Sequence, residues 1–184
     1  MRSRRTMVFA ALILLVGSLV VTPVSFAKTA AEIDASVNAA LARFDQQVKG
    51  GTKFIAASKG VLVFPGVVKV AFVIGGQYGE GALREGRRTY GYYNIAGGSW
   101  GASIGIQKKD LLLVFRDAAA LRHFESSSGW QIGVDGAVTL INVGVGADLS
   151  TMQVNQPIVA FVVGQKGLMF DVSLQGAKIT KIQK

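Results

Sequence analysis

Phe72–Gln107 reads FVIGGQYGEGALREGRRTYGYYNIAGGSWGASIGIQ, a stretch crowded with glycine and aromatic residues and poor in catalytic side chains. Glycine in such density serves one of four ends: a phosphate-cradling loop, a nucleophile elbow, a membrane barrel, or strands packed with little side chain between them. A dinucleotide loop needs G-x-G-x-x-G between strand and helix, and a Walker loop needs Gly-Lys-Ser/Thr. Neither spacing occurs. Gly97-Gly98-Ser99-Trp100-Gly101 matches the G-x-S-x-G elbow. That chemistry requires a strand entering and a helix leaving, so that the serine is exposed. The residues that follow, ASIGIQ, alternate as a strand instead. The sole histidine, His123, would have to act as base, oriented by Asp110 or Asp117, and it falls in the middle of a short predicted helix. No catalytic residue is assigned. With one histidine, no cysteine and scattered carboxylates, among them Asp135 and Asp148 in turn-like contexts, neither a metal site nor a cofactor is expected.

Packing is the remaining explanation. A strand glycine removes the side chain where another backbone crosses closely or where the sheet bends. Gly75, Gly79, Gly81, Gly101, Gly105, Gly133, Gly144 and Gly146 lie in or beside predicted strands. The groups 75/79/81, 101/105 and 144/146 each share parity, and same-parity glycines flatten one face of a strand.

Working outward, Thr29-Ala30-Ala31-Glu32 has the form of a capping box. Ile33, Val37, Ala40, Leu41, Phe44 and Val48 then mark one face of a helix that Gly50-Gly51 stops. Thr52 is expected to cap a second short helix, KFIAAS. The first helix has a mixed-charge polar face (Glu32, Asp34, Arg43, Asp45, Lys49), which suits covering its own core better than lying on a membrane. After Gly60 the chain turns strand-like: VLVF, a break at Pro65-Gly66, VAFVIGGQYGEGAL, the turn REGRR, TYGYYNIA, SWGASIGIQ, a turn at KKD, and LLLVF. Asp117 caps a predicted helix AAALRHFESS, and WQIGVDGAVTLI, PIVAFVVG and LMFDVSLQGAKITKI follow as strands. This order predicts an α+β fold: N-terminal amphipathic helices on a curved, mainly antiparallel sheet, which can curl toward a barrel, with one short inserted helix.

The N-terminus reads separately. MRSRR, the apolar MVFAALILLVGSLVV and a small-x-small site at Ser25-Phe26-Ala27 form a secretory signal peptide over residues 1–27. A single domain over residues 28–184 and a periplasmic or secreted location are expected. Without Arg2, Arg4 and Arg5 the formal charge falls from +9 to +6, which suits an anionic partner or a solvated surface. A small outer-membrane barrel is the rival reading, but LLLVF and PIVAFVV are continuous apolar runs, as in strands buried on both faces.

KGVLVFPGVVK, GGQYGEGAL, SSGWQIGVDGAV and NQPIVAFVVGQKGLMFDVSLQGAKITK together resemble the SYLF domain family, over roughly Ala35 to Lys181. The resemblance implies a non-enzymatic lipid-binding domain. Eukaryotic members bind phosphoinositides and a fungal branch binds actin; an exported chain would meet neither cytoplasmic actin nor nucleic acid, and anionic lipid or a membrane surface is the expected partner. The alternative is a structural or interaction protein of the cell envelope without a specific lipid ligand. Three basic clusters are candidate lipid contacts: Lys49, Lys53 and Lys59, with Phe54 and Ile55 as apolar anchors; Arg84, Arg87 and Arg88 in one turn; and Lys108 with Lys109 in another. The first is preferred because of its anchors.

Overall fold

A computed structural model describes residues 28–144, 146–151, 154–167, 174 and 176–184. The predicted signal peptide, and residues 168–173 of the predicted LMFDVSLQGAKITKI strand, lie outside the described residues.

Helix α1 (Ala30–Gln47) opens with the expected capping box: the Glu32 main-chain N–H donates to the Thr29 hydroxyl, and the Thr29 main-chain N–H donates to the Glu32 carboxylate at 2.7 Å. The helix ends at Gln47, before Gly50-Gly51, because Val48–Lys49 (β1) pairs in parallel with a distant segment. Helix α2 (Gly51–Ala56) follows. Its N-cap is Gly50, in the left-handed region at φ 86°, and not Thr52, whose hydroxyl donates instead to Asp45.

The sheet is built on two very long strands, β2 (Gly60–Glu85) and β3 (Arg88–Phe115), joined by a tight turn and paired antiparallel along their length. Three predicted interruptions are absent. Pro65-Gly66 forms a bulge between Phe64 and Val67 and does not end β2. Gly66 adopts φ 64° and donates its N–H to Asp110 Oδ1 at 2.8 Å, so the bulge is tied down from β3. Gly97-Gly98 and Lys108-Lys109-Asp110 lie within β3. Polar composition suggested a turn at the latter, but a strand passing from a solvated stretch into the core needs polar residues where it crosses.

Bulges kink a strand and raise its twist. A second register shift falls between Phe72 and Ile74, and there the ribbon doubles back. Residues 75–81 then lie against 63–71: a Cβ on Gly75 would stand 2.8 Å from Ala71 Cα, one on Gly79 2.9 Å from Val67 Cγ2, and one on Gly81 2.0 Å from the Val63 carbonyl oxygen. The 75/79/81 series therefore does line one close crossing. Gly105, opposite Ala71, takes φ 144°, which side-chain-bearing residues rarely adopt. Gly144 and Gly146 contradict the expectation: a Cβ at either meets nothing within 4 Å, and Gly146 serves a turn at φ 80°. Gly133 is likewise a turn residue at φ 80°, and what surrounds Gly101 lies outside the described residues.

After β3 come α3 (Ala118–Ser126), β4 (Trp130–Gln131), β5 (Thr139–Asn142), β6 (Ala147–Asp148), β7 (Ile158–Gly167) and β8 (Lys178–Ile182). The predicted single strand from Trp130 to Ile141 is split: Asp135 accepts the Gln131 N–H at 2.6 Å and turns the chain between β4 and β5. The sheet order is β4-β8-β3-β7-β5, with β2 also on β3. Strands β8 and β7 pair with different lengths of β3, at 92–96 and 107–115. The sheet is thus curled, and among the described residues its ends do not pair to close a barrel.

Alternation in β2, β3 and β7 sorts their side chains into two cores. Leu62, Phe64, Leu111, Leu113 and Ala160 join Phe124 and Trp130 on one face. Val63, Leu112, Val114, Val159 and Phe161 join Ile33, Val37, Ala40 and Phe44 of α1 on the other. The continuous apolar runs are the signature of this double burial. The protein is a sheet-rich α+β fold with few helices, and α1 does cover the core. Among the described residues no helix is long and apolar enough to cross a membrane.

At the end of α3, Glu125 is half-buried beside Glu85. Burial first, and then the Glu85 charge, push its carboxyl above the usual range. A raised folded-state value means that the folded form holds the proton more tightly. The associated stability is full below the unfolded value and is lost as pH rises through the folded one. Glu125→Gln should therefore raise the thermal midpoint at neutral pH, and the gain should vanish in acid, where Glu125 is itself protonated. Calorimetry at the two pH values checks this, and an unchanged midpoint at neutral pH would contradict it.

Candidate functional site

The α2 corner holds the first basic cluster. Lys53 and Lys59 are exposed. Lys49 is exposed too and lies 3.5 Å from Asp148 of β6, so the parallel β1–β6 pair carries an ion pair at its end. The Asp148 carboxyl is held below its usual range, mainly by the Ser150 N–H and hydroxyl, with Lys49 contributing less. Such a surface pair contributes at most about 1 kcal/mol.

Phe54 and Ile55 do not stand out as anchors. Both are half-buried and pack on the α1-side core. The Phe54 ring meets Phe161 edge-on at 5.7 Å, and the Arg116 guanidinium sits over the Phe54 ring, 5.6 Å from its centroid. Helix α2 is too short to present two apolar faces, and roofing the core takes the one it has.

The second cluster divides. The Arg84 side chain is mostly buried: its Nη2 lies 3.2 Å from Asp34 Oδ1 and donates to Asn38 Oδ1 at 3.1 Å, so this residue braces α1 against β2. Asp34 also accepts hydrogen bonds from Thr89 and Tyr92, at 2.9 Å each. Arg87 and Arg88 remain exposed on the turn. The third cluster is split by strand alternation. Lys108 is exposed, whereas Lys109 is 1% exposed and faces inward, which removes it as a surface contact.

Two clefts result. One, of about 400 Å³, has a floor of Leu41, Phe44, Ile55 and Val61 and runs between α2 and the turn that carries Arg84 and Arg87. Its size is that of a small-ligand site. Folding thus brings Ile55 of the first cluster and Arg84 and Arg87 of the second onto the lining of one cleft, with Asp45 of α1 beside them; Lys49, Lys53 and Lys59 are not among its lining residues. The other, of about 510 Å³, lies between α1 and the strands and is lined by Arg43, Lys108, Asp110 and Lys166, with the buried Lys109 also on its wall. Arg43 is held by Asp110, its Nε and Nη2 both 2.7 Å from Oδ2. Neither Arg43 nor Lys166 was singled out from sequence. Lys166 could have been found only by knowing that β7 pairs with β3 so that it stands opposite Lys108.

The backbone around Ser99 does not take the strand-to-helix form of an elbow. The backbone at Ser99 continues as strand opposite Gly75, with no helix following. Asp117 caps α3 by accepting the Ala119 and Ala120 N–H groups, Asp110 is engaged by Arg43 and Gly66, and His123 is exposed in the last turn of α3.

Residues 96–184 match the family model described as Ysc84: Las17-binding protein actin regulator, in agreement with the SYLF resemblance. The match takes in most of β3 and everything after it, while α1, α2 and β2 precede it. No curated protein matches the chain.

Proposed function

We propose, from the match of residues 96–184 to the Ysc84 family model and the resemblance to SYLF, a lipid- and actin-related binding family, that this chain is an exported, non-enzymatic protein that associates with anionic lipid surfaces. The observation that carries the reading is the cleft between α2 and the 84–88 turn, whose apolar floor of Leu41, Phe44, Ile55 and Val61 is edged by Arg84 and Arg87. An apolar slot with a basic rim suits an amphiphile with an anionic head. The proposed export, to the periplasm or beyond, rests on the leader-like residues 1–27, and it sets cytoplasmic actin aside as a partner. Lys53, Lys59, Arg87, Arg88 and Lys108 are the proposed head-group contacts; Lys49 is shared with Asp148, and Arg84 positions the wall.

Flotation with phosphatidylglycerol vesicles and with phosphatidylcholine vesicles tests this. Binding should favour the anionic vesicles and fall steeply with salt, because the screening length shrinks from about 30 Å at 0.01 M to about 10 Å at 0.1 M. Each lysine near such a surface contributes up to about 1 kcal/mol, so Lys49, Lys53 and Lys59 changed together to Gln should weaken binding by roughly 30-fold from Lys53 and Lys59 alone, with Lys49 adding least. Lys108→Gln should act more weakly. Binding indifferent to both salt and the triple change would exclude the surface-charge mechanism.

A further inference from the structure

Where the β2–β3 ribbon doubles back, its outer face is apolar and solvated. Val70 stands opposite Ile106 and Phe72 opposite Ile104, so these four share one face. Phe72 is 73% exposed, Ile104 64% and Ile106 63%; beyond the register shift Ile74 is 66% exposed. Isolated exposed apolar residues are ordinary, but a contiguous patch marks an interaction surface.

Its charges say what it faces. Val68, Lys108 and Lys166 form a row across β2, β3 and β7 at the base of the patch, and both lysines are exposed. Over residues 66–79 and 96–109 the only charged side chains are Lys69, Lys108 and Lys109; no carboxylate occurs in either segment. A second copy docked face to face would bring like charges together, whereas an anionic bilayer offers the opposite charge just above an apolar layer.

We infer that this ribbon face, built on Val70, Phe72, Ile104 and Ile106, enters the interfacial layer of an anionic lipid bilayer while Lys108 and Lys166 stay at head-group level. The inference rests on the lipid-surface reading and gives that surface a second, penetrating contact apart from the α2 cleft. Depth is limited by the charges at the base of the face: Lys108 and Lys166 are exposed there, and a cation does not follow apolar side chains into hydrocarbon. Entry therefore stops about 5–10 Å in, at the boundary between head groups and acyl chains.

The chain has no cysteine, so Phe72→Cys provides a single thiol for an environment-sensitive dye, and His123→Cys, at an exposed position of α3, a reference label. The protein is expressed from its full chain and used as the cell delivers it, with phosphatidylglycerol–phosphatidylcholine vesicles. The dye at position 72 should shift to the blue on binding and be quenched by shallow spin-labelled lipids, while the dye at 123 stays in a polar setting. The double variant Phe72→Ser, Ile104→Ser should lose at least about tenfold in vesicle partitioning with an unchanged melting temperature, since two exposed apolar side chains no longer leave water on binding. Protein that floats while the dye at 72 stays polar, with the double variant binding as the parent does, would overturn the ribbon inference and leave the lipid reading standing. Failure of the parent to float would overturn both. A blue shift without vesicles would overturn it in favour of another cover: a second copy if the shift grows with protein concentration, the chain's own residues 1–27 if it does not.

Discussion

Gly81→Val should abolish the fold or leave it too unstable to purify in quantity. The Cβ alone would stand 2.0 Å from the Val63 carbonyl oxygen and 2.8 Å from Phe64 Cδ1. The first neighbour is main chain and cannot swing aside, so the two halves of the doubled ribbon must part. Overpacking typically costs about 1–3 kcal/mol, and a backbone clash belongs at or beyond the upper end, about 3 kcal/mol or more even for Gly81→Ala. Gly79→Val should cost less, about 1–3 kcal/mol, because its Cβ meets the movable Val67 Cγ2 first, at 2.9 Å. Gly105→Val belongs to the same range for a different reason, its φ of 144°. Gly144→Ala is the control: nothing lies within 4 Å, and its midpoint should move by less than about 0.5 kcal/mol. Urea titrations of the four variants check the order. A Gly81→Ala midpoint equal to that of the parent would show that the crossing is looser than described.

The second large effect is expected at Phe161. The residue is fully buried in β7, opposite Leu112 on β3 and Ile141 on β5. Its ring meets Phe44 of α1 at 5.0 Å and Phe54 of α2 at 5.7 Å, so one side chain holds both N-terminal helices to the sheet. Phe161→Ala should remove about 3–5 kcal/mol, against a total of about 5–15 kcal/mol for an ordinary domain. Phe161→Leu keeps most of the volume and should cost far less, on the order of 1.5 kcal/mol. Because α2 forms one wall of the cleft, Phe161→Ala should also weaken vesicle binding in conditions where the protein is still folded, although residue 161 touches no lipid. A loss of stability below about 1 kcal/mol would mean that the helices are held chiefly from elsewhere.

Those two positions show what was legible and what was not. The same-parity glycines at 75, 79 and 81 announced a close approach, because alternation along a strand is a local property and missing side chains are visible in it. What approaches them is residues 63–71 of the same strand, and no local pattern could say so. The basic clusters were equally visible, but their fates were not. Lys108 and Lys109 are neighbours with the same side chain; the pleat sends one to solvent and the other inside. Arg84 differs from Arg87 and Arg88 only in having Asp34 and Asn38 of α1 within reach.

The exposed ribbon face inverts the usual rule. VVKVAFVI is apolar at every position but Lys69, and sequence alone assigns such a run to a core. Folding instead turns Val67 and Ala71 inward with Lys69, and leaves Val70 and Phe72 outside.

The capped first helix, the doubly buried strands LLLVF and PIVAFVV, the glycine crossing and the basic balance follow from the sequence by itself, since each depends on spacing within a few residues or on composition. The bend that doubles the ribbon, the parallel β1–β6 pair that ends α1 early, the pairing of Lys108 with Lys166 and the meeting of α2 with the 84–88 turn were decided only by tertiary structure. Each depends on which distant backbone supplies the partner, and a strand's side-chain period states that it has two faces without stating what either face meets.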